Sequence, residues 1–274
     1  MNLCNYHLHS TGSDGKLTPE EVVKESIKDD IKYICFTDHY PLPKEEIQIR
    51  DGFHKKEYKE EVKRLIKKYK GKISISFGVE LDWFEDFQEE IIKEIQKNNF
   101  DFIIGSVHFL KNKKLRNYSE IHFIDNKIKD LEKDYQDVKG IIKEYYKQIG
   151  LMAKSKLFDS IGHLDRIKFN TKNLFSEEDN WYKKEVIKCL KIIKESDTCL
   201  EINVSGLRDP VRNTIYPSKW ILKEAKKLDI PITIGTDGHK EIHKHLDKGF
   251  EIAKEIGFDS VFIFKNREPI KIMI

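Results

Sequence analysis

The chain has 274 residues, 39% hydrophobic and 35% charged, which is enough for one large domain with a real core, expected to span residues 1–274. Lys and Arg (50) nearly balance Asp and Glu (47), and 43 of the 50 cations are Lys interleaved with acids as on solvated helix faces, which argues against a dedicated nucleic-acid groove. No leader-like or membrane-length apolar stretch is found, and the four cysteines (Cys4, Cys35, Cys189, Cys199) form no C-x-x-C pair and read as buried free thiols, so a cytoplasmic protein without a membrane partner is expected.

Apolar, β-branched runs alternate with Lys/Glu-rich amphipathic segments. A first strand, Leu3-Cys4-Asn5-Tyr6, leads into His7-Leu8-His9, whose imidazoles share a side because strand side chains alternate. Thr18-Pro19-Glu20-Glu21 opens a helix with a Thr cap, Pro at the first position and Glu at the third. Tyr33 to His39 reads as a buried strand, 55–70 as a helix, and Ile73 to Glu80 as a third strand ending in a carboxylate. Glu85 to Lys97 is helical, and Phe102 to His108 is a fourth strand. Residues 110–130 break the rhythm as an excursion, and a long helix then runs to about Lys154. Phe158 to His163, Thr198 to Asn203 and Ile232 to His239 are strands five to seven, separated by helices over 181–194 and 218–227. A last helix, the run Val261-Phe262-Ile263-Phe264 and a short apolar tail finish the chain. Repeated β-then-α units imply a parallel sheet with helical crossovers.

The metal-ligating residue types are not scattered. His7, His9, His39, Glu80, His108, His163, Asp237 and His239 all fall at strand exits, whereas His54, His122, His243 and His245 lie in loops or helices. In a closed α/β barrel those exits share one face, where active sites sit. Each residue alone has a structural explanation, a core histidine or a turn cap; their common position is the signal.

Tyr6-His7-Leu8-His9, Phe36-Thr37-Asp38-His39, Gly78-Val79-Glu80, Gly105-Ser106-Val107-His108, Gly162-His163-Leu164-Asp165 and Thr236-Asp237-Gly238-His239, in that order, resemble the motifs of the PHP (polymerase and histidinol phosphatase) superfamily. Ser13-Asp14-Gly15, Arg166 and Asn203-Val204-Ser205-Gly206-Leu207-Arg208 are similar to its histidinol-phosphatase branch. The resemblance implies an α/β fold, a distorted (β/α)7 TIM-like barrel with a metal cluster at the C-terminal ends of the strands. It further implies three divalent ions, zinc, iron or manganese: one held by His7, His9, Glu80 and Asp237, a second by Glu80, His108 and His163, and a third by Asp14, His39 and His239.

Imidazole and carboxylate donors without thiolate suit those metals and do not suit calcium or a structural zinc. The expected activity is hydrolysis of L-histidinol phosphate, a small-molecule phosphate ester, by a metal-bridging hydroxide. Glu80, Asp237 and His239 are the catalytic candidates, and a guanidinium fork at Arg166 and at Arg208 matches phosphate oxygens. The leaving-group proton comes from bound water, Asp237 or His239; Asp38 reads as an orienter, and Asp165 and His243 are ambiguous. Glu85, Asp82 and Asp209 are candidates for reading the histidinol amine and imidazole. Alternatives are a phosphoesterase for another small phosphate or nucleotide, a nuclease, an amidohydrolase-like hydrolase, for which Asp14, His39 and His239 would be superfluous, and a regulatory module, in which donors would be missing. Oligomeric state is open.

Overall fold

Seven apolar runs become seven parallel strands whose hydrogen-bonded order follows the chain. The computed structural model describes residues 3–40, 56–112, 117–121, 134–171, 174–211 and 213–274. In chain order the strands are β1 (Cys4–Leu8), β2 (Tyr33–Phe36), β3 (His39–Tyr40), β4 (Ser74–Asp82), β5 (Phe102–Ser106), β6 (Phe109–Asn112), β7 (Asn117–Glu120), β8 (Ser160–Ile161), β9 (Cys199–Asn203), β10 (Ile232–Gly235), β11 (Ser260–Lys265) and β12 (Glu268–Met273). The barrel path is β1-β2-β4-β5-β8-β9-β10, with β3 added beside β4. The two ends then meet: His9 N–H donates to Gly238 O at 3.1 Å and Asp237 N–H to His7 O at 2.9 Å. The result is the expected α/β barrel, a nearly closed ring of parallel strands, buried on both faces as crossover packing requires.

The helices are α1 (Pro19–Lys28), α2 (Lys56–Lys68), α3 (Gln88–Asn98), α4 (Val138–Lys154), α5 (Lys168–Thr171), α6 (Asn180–Glu195), α7 (Lys219–Lys227) and α8 (Leu246–Ile256). α1 begins as its sequence predicts: Thr18 Oγ1 accepts from Glu21 N–H, and Glu21 Oε2 accepts from Thr18 N–H at 2.8 Å. All four cysteines are buried and free. Among the described residues no helix is long and apolar enough to cross a membrane.

Two segments differ from the sequence reading. The apolar tail is β12, which pairs antiparallel with β11. This hairpin covers the barrel end opposite the histidines: Lys265 and Arg267 pair with Asp101 and Asp159 at 2.9 and 2.6 Å, acids that immediately precede β5 and β8. The described part of the 110–130 excursion is the β6–β7 hairpin, tied back by Ile121 N–H to His108 O at 2.8 Å. Residues 122–130 lie outside the described residues, as do His54 and His122.

The seam where β10 meets β1 is knitted by Asn5. Its Oδ1 accepts from Thr236 N–H at 3.1 Å; its Nδ2 donates to Thr236 Oγ1 at 2.8 Å and Ile242 O at 3.0 Å, and lies 3.1 Å from His243 Nδ1. On the far side, His243 Nε2 is 2.8 Å from Ser26 Oγ, which donates to Val22 O at 2.7 Å. Ser26 Oγ spends its proton on Val22 O and so accepts from Nε2–H, while Nδ1 faces the Asn5 amide nitrogen, a donor, and carries no proton, so His243 is neutral. Burial pushes its pKa down to about 4, with Asp29 opposing weakly.

The folded-state pKa is below the unfolded value, so this neutral ring costs nothing above about pH 6.5, and stability is lost as pH falls from there to about 4, by up to about 3 kcal/mol. In urea unfolding of metal-free protein, His243→Gln should therefore lose about 2 kcal/mol less than wild type between pH 7 and pH 4.5. Parallel losses in the two proteins would show that His243 titrates as in the unfolded chain.

Candidate metal centre

The nine expected donors all come together at the C-terminal mouth of the barrel. Their hub is Glu80, on β4, a side chain 2% exposed. Register places Glu80 opposite His39 of β3 on one side and Ile104 of β5 on the other. Its two oxygens divide the imidazoles. Oε2 lies 3.2 Å from His7 Nε2, 3.5 Å from His9 Nε2 and 3.2 Å from His39 Nδ1. Oε1 lies 3.1 Å from His163 Nε2 and 3.5 Å from His108 Nε2, and accepts from Ser106 Oγ at 2.5 Å.

Three groups of donors are close enough to surround an ion: His7, His9 and Glu80; Glu80, His108 and His163; and His9, Asp14, His39 and His239. The first two groups share Glu80, as the sequence reading expects. His9 joins the third group as well as the first, because its ring stacks on His239 with centroids 4.1 Å apart and its Nδ1 is 3.6 Å from Asp14 Oδ1. Asp237 Oδ1 stands at the lip, 3.3 Å from His9 Nε2, 3.6 Å from His239 Nδ1 and 3.8 Å from His7 Nε2. His163 and Asp237 have positive φ (23° and 52°), a conformation that costs about 1–3 kcal/mol in a non-glycine residue and that clusters at functional sites.

A second layer aims these rings. Glu201 is fully buried on β9; its Oε1 is 2.7 Å from His7 Nδ1, while its Oε2 accepts from His163 N–H at 2.7 Å and from Asn203 Nδ2 at 3.1 Å. Asp82 Oδ1 is 2.6 Å from His108 Nδ1. Carboxylates on Nδ1 fix the tautomer that turns Nε2 toward Glu80. Sequence reasoning missed Glu201, although a lone acid inside the apolar strand Thr198 to Asn203 was a signal. Asp82 is thereby tied to His108. Glu85 accepts from Gln148 at 2.9 Å, and Asp209 Oδ1 accepts from Val211 N–H at 2.9 Å in an exposed turn.

The remaining candidates also find places. Arg208 donates from Nη1 to Thr236 O at 2.8 Å and from Nη2 to Asp237 O at 2.7 Å, strapping the backbone of the last strand exit. Arg166 Cζ lies over the Phe169 ring, 4.0 Å from its centre, and its buried Nη1 makes no hydrogen bond among the described residues. Asp165 is a brace: its Oδ2 accepts from Lys168 Nζ at 2.7 Å and from Ser218 N–H at 3.0 Å.

The electrostatics call for added positive charge. Burial alone would raise the Glu80 pKa, yet His39, His7, His108 and the bond from His163 hold it well below the usual range. Burial likewise opposes ionisation of Asp237, and His7, His9 and His239 overcome it. Burial opposes protonation of His7, but Glu201, Glu80 and Asp237 push its pKa well up. His7 Nε2, both ring nitrogens of His9 and His163 Nδ1 are buried without a hydrogen bond among the described residues. Each such atom costs about 1–3 kcal/mol. Divalent cations remove that cost and satisfy the carboxylates together, and the nitrogen and oxygen donors fit zinc, iron or manganese.

A family model for the PHP domain matches residues 5–205. The chain is 28% identical to the histidinol-phosphatase of Bacillus subtilis over 253 residues, 85% of this chain and 92% of that protein. It is 28% identical to the histidinol-phosphatase of Lactococcus lactis over 288 residues, 99% of this chain and all of that protein. A solved structure of the Lactococcus lactis histidinol phosphate phosphatase, complexed with zinc, L-histidinol and phosphate, superposes with a TM-score of 0.79 at 25% identity, covering 98% of this chain and 99% of that one.

Close approach of β10 to β1 depends on Gly235, where a Cβ would sit 2.3 Å from His7 Cβ and 2.4 Å from Glu201 Oε1. Gly235→Ala must push these groups apart, and should destabilise the protein by about 1–3 kcal/mol in denaturant unfolding. A variant as stable as wild type would show that the strands are not pressed together here.

Proposed function

The chain belongs to the PHP domain family, and we propose that it is a metal-dependent phosphatase converting L-histidinol phosphate to L-histidinol and phosphate in histidine biosynthesis. The observation that carries this reading is the buried Glu80 carboxylate shared between two imidazole sets, with Asp14, His39 and His239 beside it. Its support is the similarity, along nearly the whole chain, to proteins named histidinol-phosphatase. Zinc is the first metal to test, since the Lactococcus lactis structure holds it. In this reading His7, His9, Glu80 and Asp237 hold one cation, Glu80, His108 and His163 a second, and Asp14, His39 and His239 a third, with His9 adjoining.

When bound, the cations neutralise the phosphate oxygens and make water a competent nucleophile at neutral pH. The chain's own groups do the rest. Glu80 keeps the two strand-borne sets at fixed separation, so that one phosphate can face both. Arg166, stacked on Phe169 with a donor to spare at Nη1, takes phosphate oxygens through a planar fork. Asp237, kept anionic by its three histidine neighbours, turns Oδ1 toward them and the first cation site, which leaves Oδ2 to accept a proton from the attacking water. It returns that proton to the alcohol oxygen as the P–O bond breaks, so the products are the neutral alcohol and phosphate. Arg208 acts on Asp237 through the backbone it straps.

The direct test is phosphate release from L-histidinol phosphate and from a panel of other monoesters, with metal content measured on the same samples. The kcat/KM for L-histidinol phosphate should exceed that for glycerol phosphate or a nucleoside monophosphate by about 100-fold or more, as polar recognition of a leaving group allows. Comparable turnover across the panel would remove the substrate assignment. A chelator should abolish activity, and zinc, manganese or iron should restore it. Glu80→Ala should lose both metal and turnover. Asp237→Asn should weaken the first cation and, compared at equal measured metal loading, should still cut kcat by about 10²–10⁴, the range of a positioned proton-transfer group.

A further inference from the structure

The donors differ in how they are held. His7 and His9 side chains are 0% exposed and Glu80 2%, but Asp14 is 43% exposed and stands on the loop between β1 and α1. Core packing cannot fix such a carboxylate, so its position must come from bonds within and beneath the loop. The loop's later part is pinned by Thr11 N–H to Leu17 O at 2.8 Å and by Lys16 N–H to His239 O at 2.7 Å. The turn that carries Asp14 is closed by Ser13 N–H and Gly15 N–H to Ser10 O at 3.1 and 2.9 Å, and a separate device anchors it from beneath.

That device is Asp38, fully buried just after β2. Its Oδ1 accepts from Ser10 N–H at 2.7 Å and Ser13 Oγ at 2.7 Å; its Oδ2 accepts from Ser10 Oγ at 2.8 Å and from the Tyr58 hydroxyl of α2. Ser13 Oγ is also 3.2 Å from Asp14 Oδ1, but a hydroxyl has one proton, and the shorter contact to Asp38 takes it. Asp14 Oδ1 is thus left facing His239 Nε2 at 3.1 Å, with Oδ2 3.8 Å from His39 Nε2. Tyr58 also forms the floor of the turn: a Cβ on Gly12 would lie 2.2 Å from its ring.

We propose that Tyr58 and Asp38 are positioning residues for the third cation, a latch from helix α2 to the Ser10–Asp14 turn that sets the affinity of the His9, Asp14, His39 and His239 group without touching it. The inference rests on the metal assignment above. The latch also adjoins His9 and His39 along the chain, but those rings are buried and their backbones are held by the Gly238 carbonyl and by strand β3, whereas Asp14 depends on the turn alone; loosening the latch therefore weakens the third cation most.

The test is stepwise titration of metal-free full-length protein with cobalt(II), read by its visible absorption, and with zinc by equilibrium dialysis and elemental analysis. Tyr58→Phe removes one hydroxyl and keeps the ring under Gly12. It should weaken the third cation by about 10- to 100-fold, the usual effect of losing a ligand-orienting bond, with the first two changed less. Ser13→Ala, at an accessible turn, should act in the same direction and decides the matter if Tyr58→Phe folds poorly. A third-cation affinity within about twofold of wild type in the folded variants, or equal weakening of all three, would overturn the latch. So would a wild-type protein that takes up only two cations. Phosphate release from L-histidinol phosphate, measured separately, reports on the proposed activity whatever the cation count.

Discussion

A carboxylate buried at the centre of five imidazoles is the constraint from which the rest of this structure follows. Glu80 is removed from water, and an isolated buried carboxylate would take up a proton rather than stay charged. Its charge persists because His7, His9 and His39 face one oxygen and His108 and His163 the other. Those histidines come from four different strand exits. Satisfying one carboxylate therefore requires the strands on either side of β4 to curl toward it, and the ring is completed where β10 reaches β1, residues more than two hundred positions apart in the chain.

The second layer answers the same need from outside. Glu201 joins His7 to the backbone of His163, and so links a ring beside Glu80 Oε2 to the strand that delivers a ring to Oε1. Asp82 serves His108 in the same way. Each places a negative charge behind an imidazole and so strengthens it as a donor. The cluster is thus layered, with carboxylate, imidazole and carboxylate alternating outward. Such an array favours cations at its centre, since every layer of acid is otherwise short of positive charge.

Much of this was legible in the sequence, for identifiable reasons. Strands of a parallel barrel are buried on both faces, so they stand out as apolar runs, and ligand-type residues recurring at the ends of such runs mark one shared face. Thr18 and Glu21 announced the start of α1 because a capping box is local. What stayed hidden was non-local. The bond from His7 to Glu201 spans 194 residues and is fixed by register across the ring, which no spacing encodes. Arg208 reads as a phosphate fork in the sequence, and its bonds to the Thr236 and Asp237 carbonyls, which depend on where β10 ends, were not legible there. The β12 strand read as an apolar tail because its pairing with β11 leaves its own outer face exposed and its alternation weak.

The positive φ angles of His163 and Asp237 show what the barrel scaffold contributes to the site. Neither backbone conformation is favoured by the residue that adopts it, so each must be held from outside. His163 N–H is fixed by Glu201, and Asp237 is fixed on both sides, its N–H by His7 O and its carbonyl by Arg208. The group that orients His7 is also the group that holds His163 in its unfavoured geometry, and the backbone that carries His7 holds Asp237. Strain at one donor is therefore offset by bonds from its neighbours, and the donors form a mutually supporting set. A substitution at any one of them should be felt by the others through the backbone as well as through the loss of a ligand, so their effects on the site will not add independently.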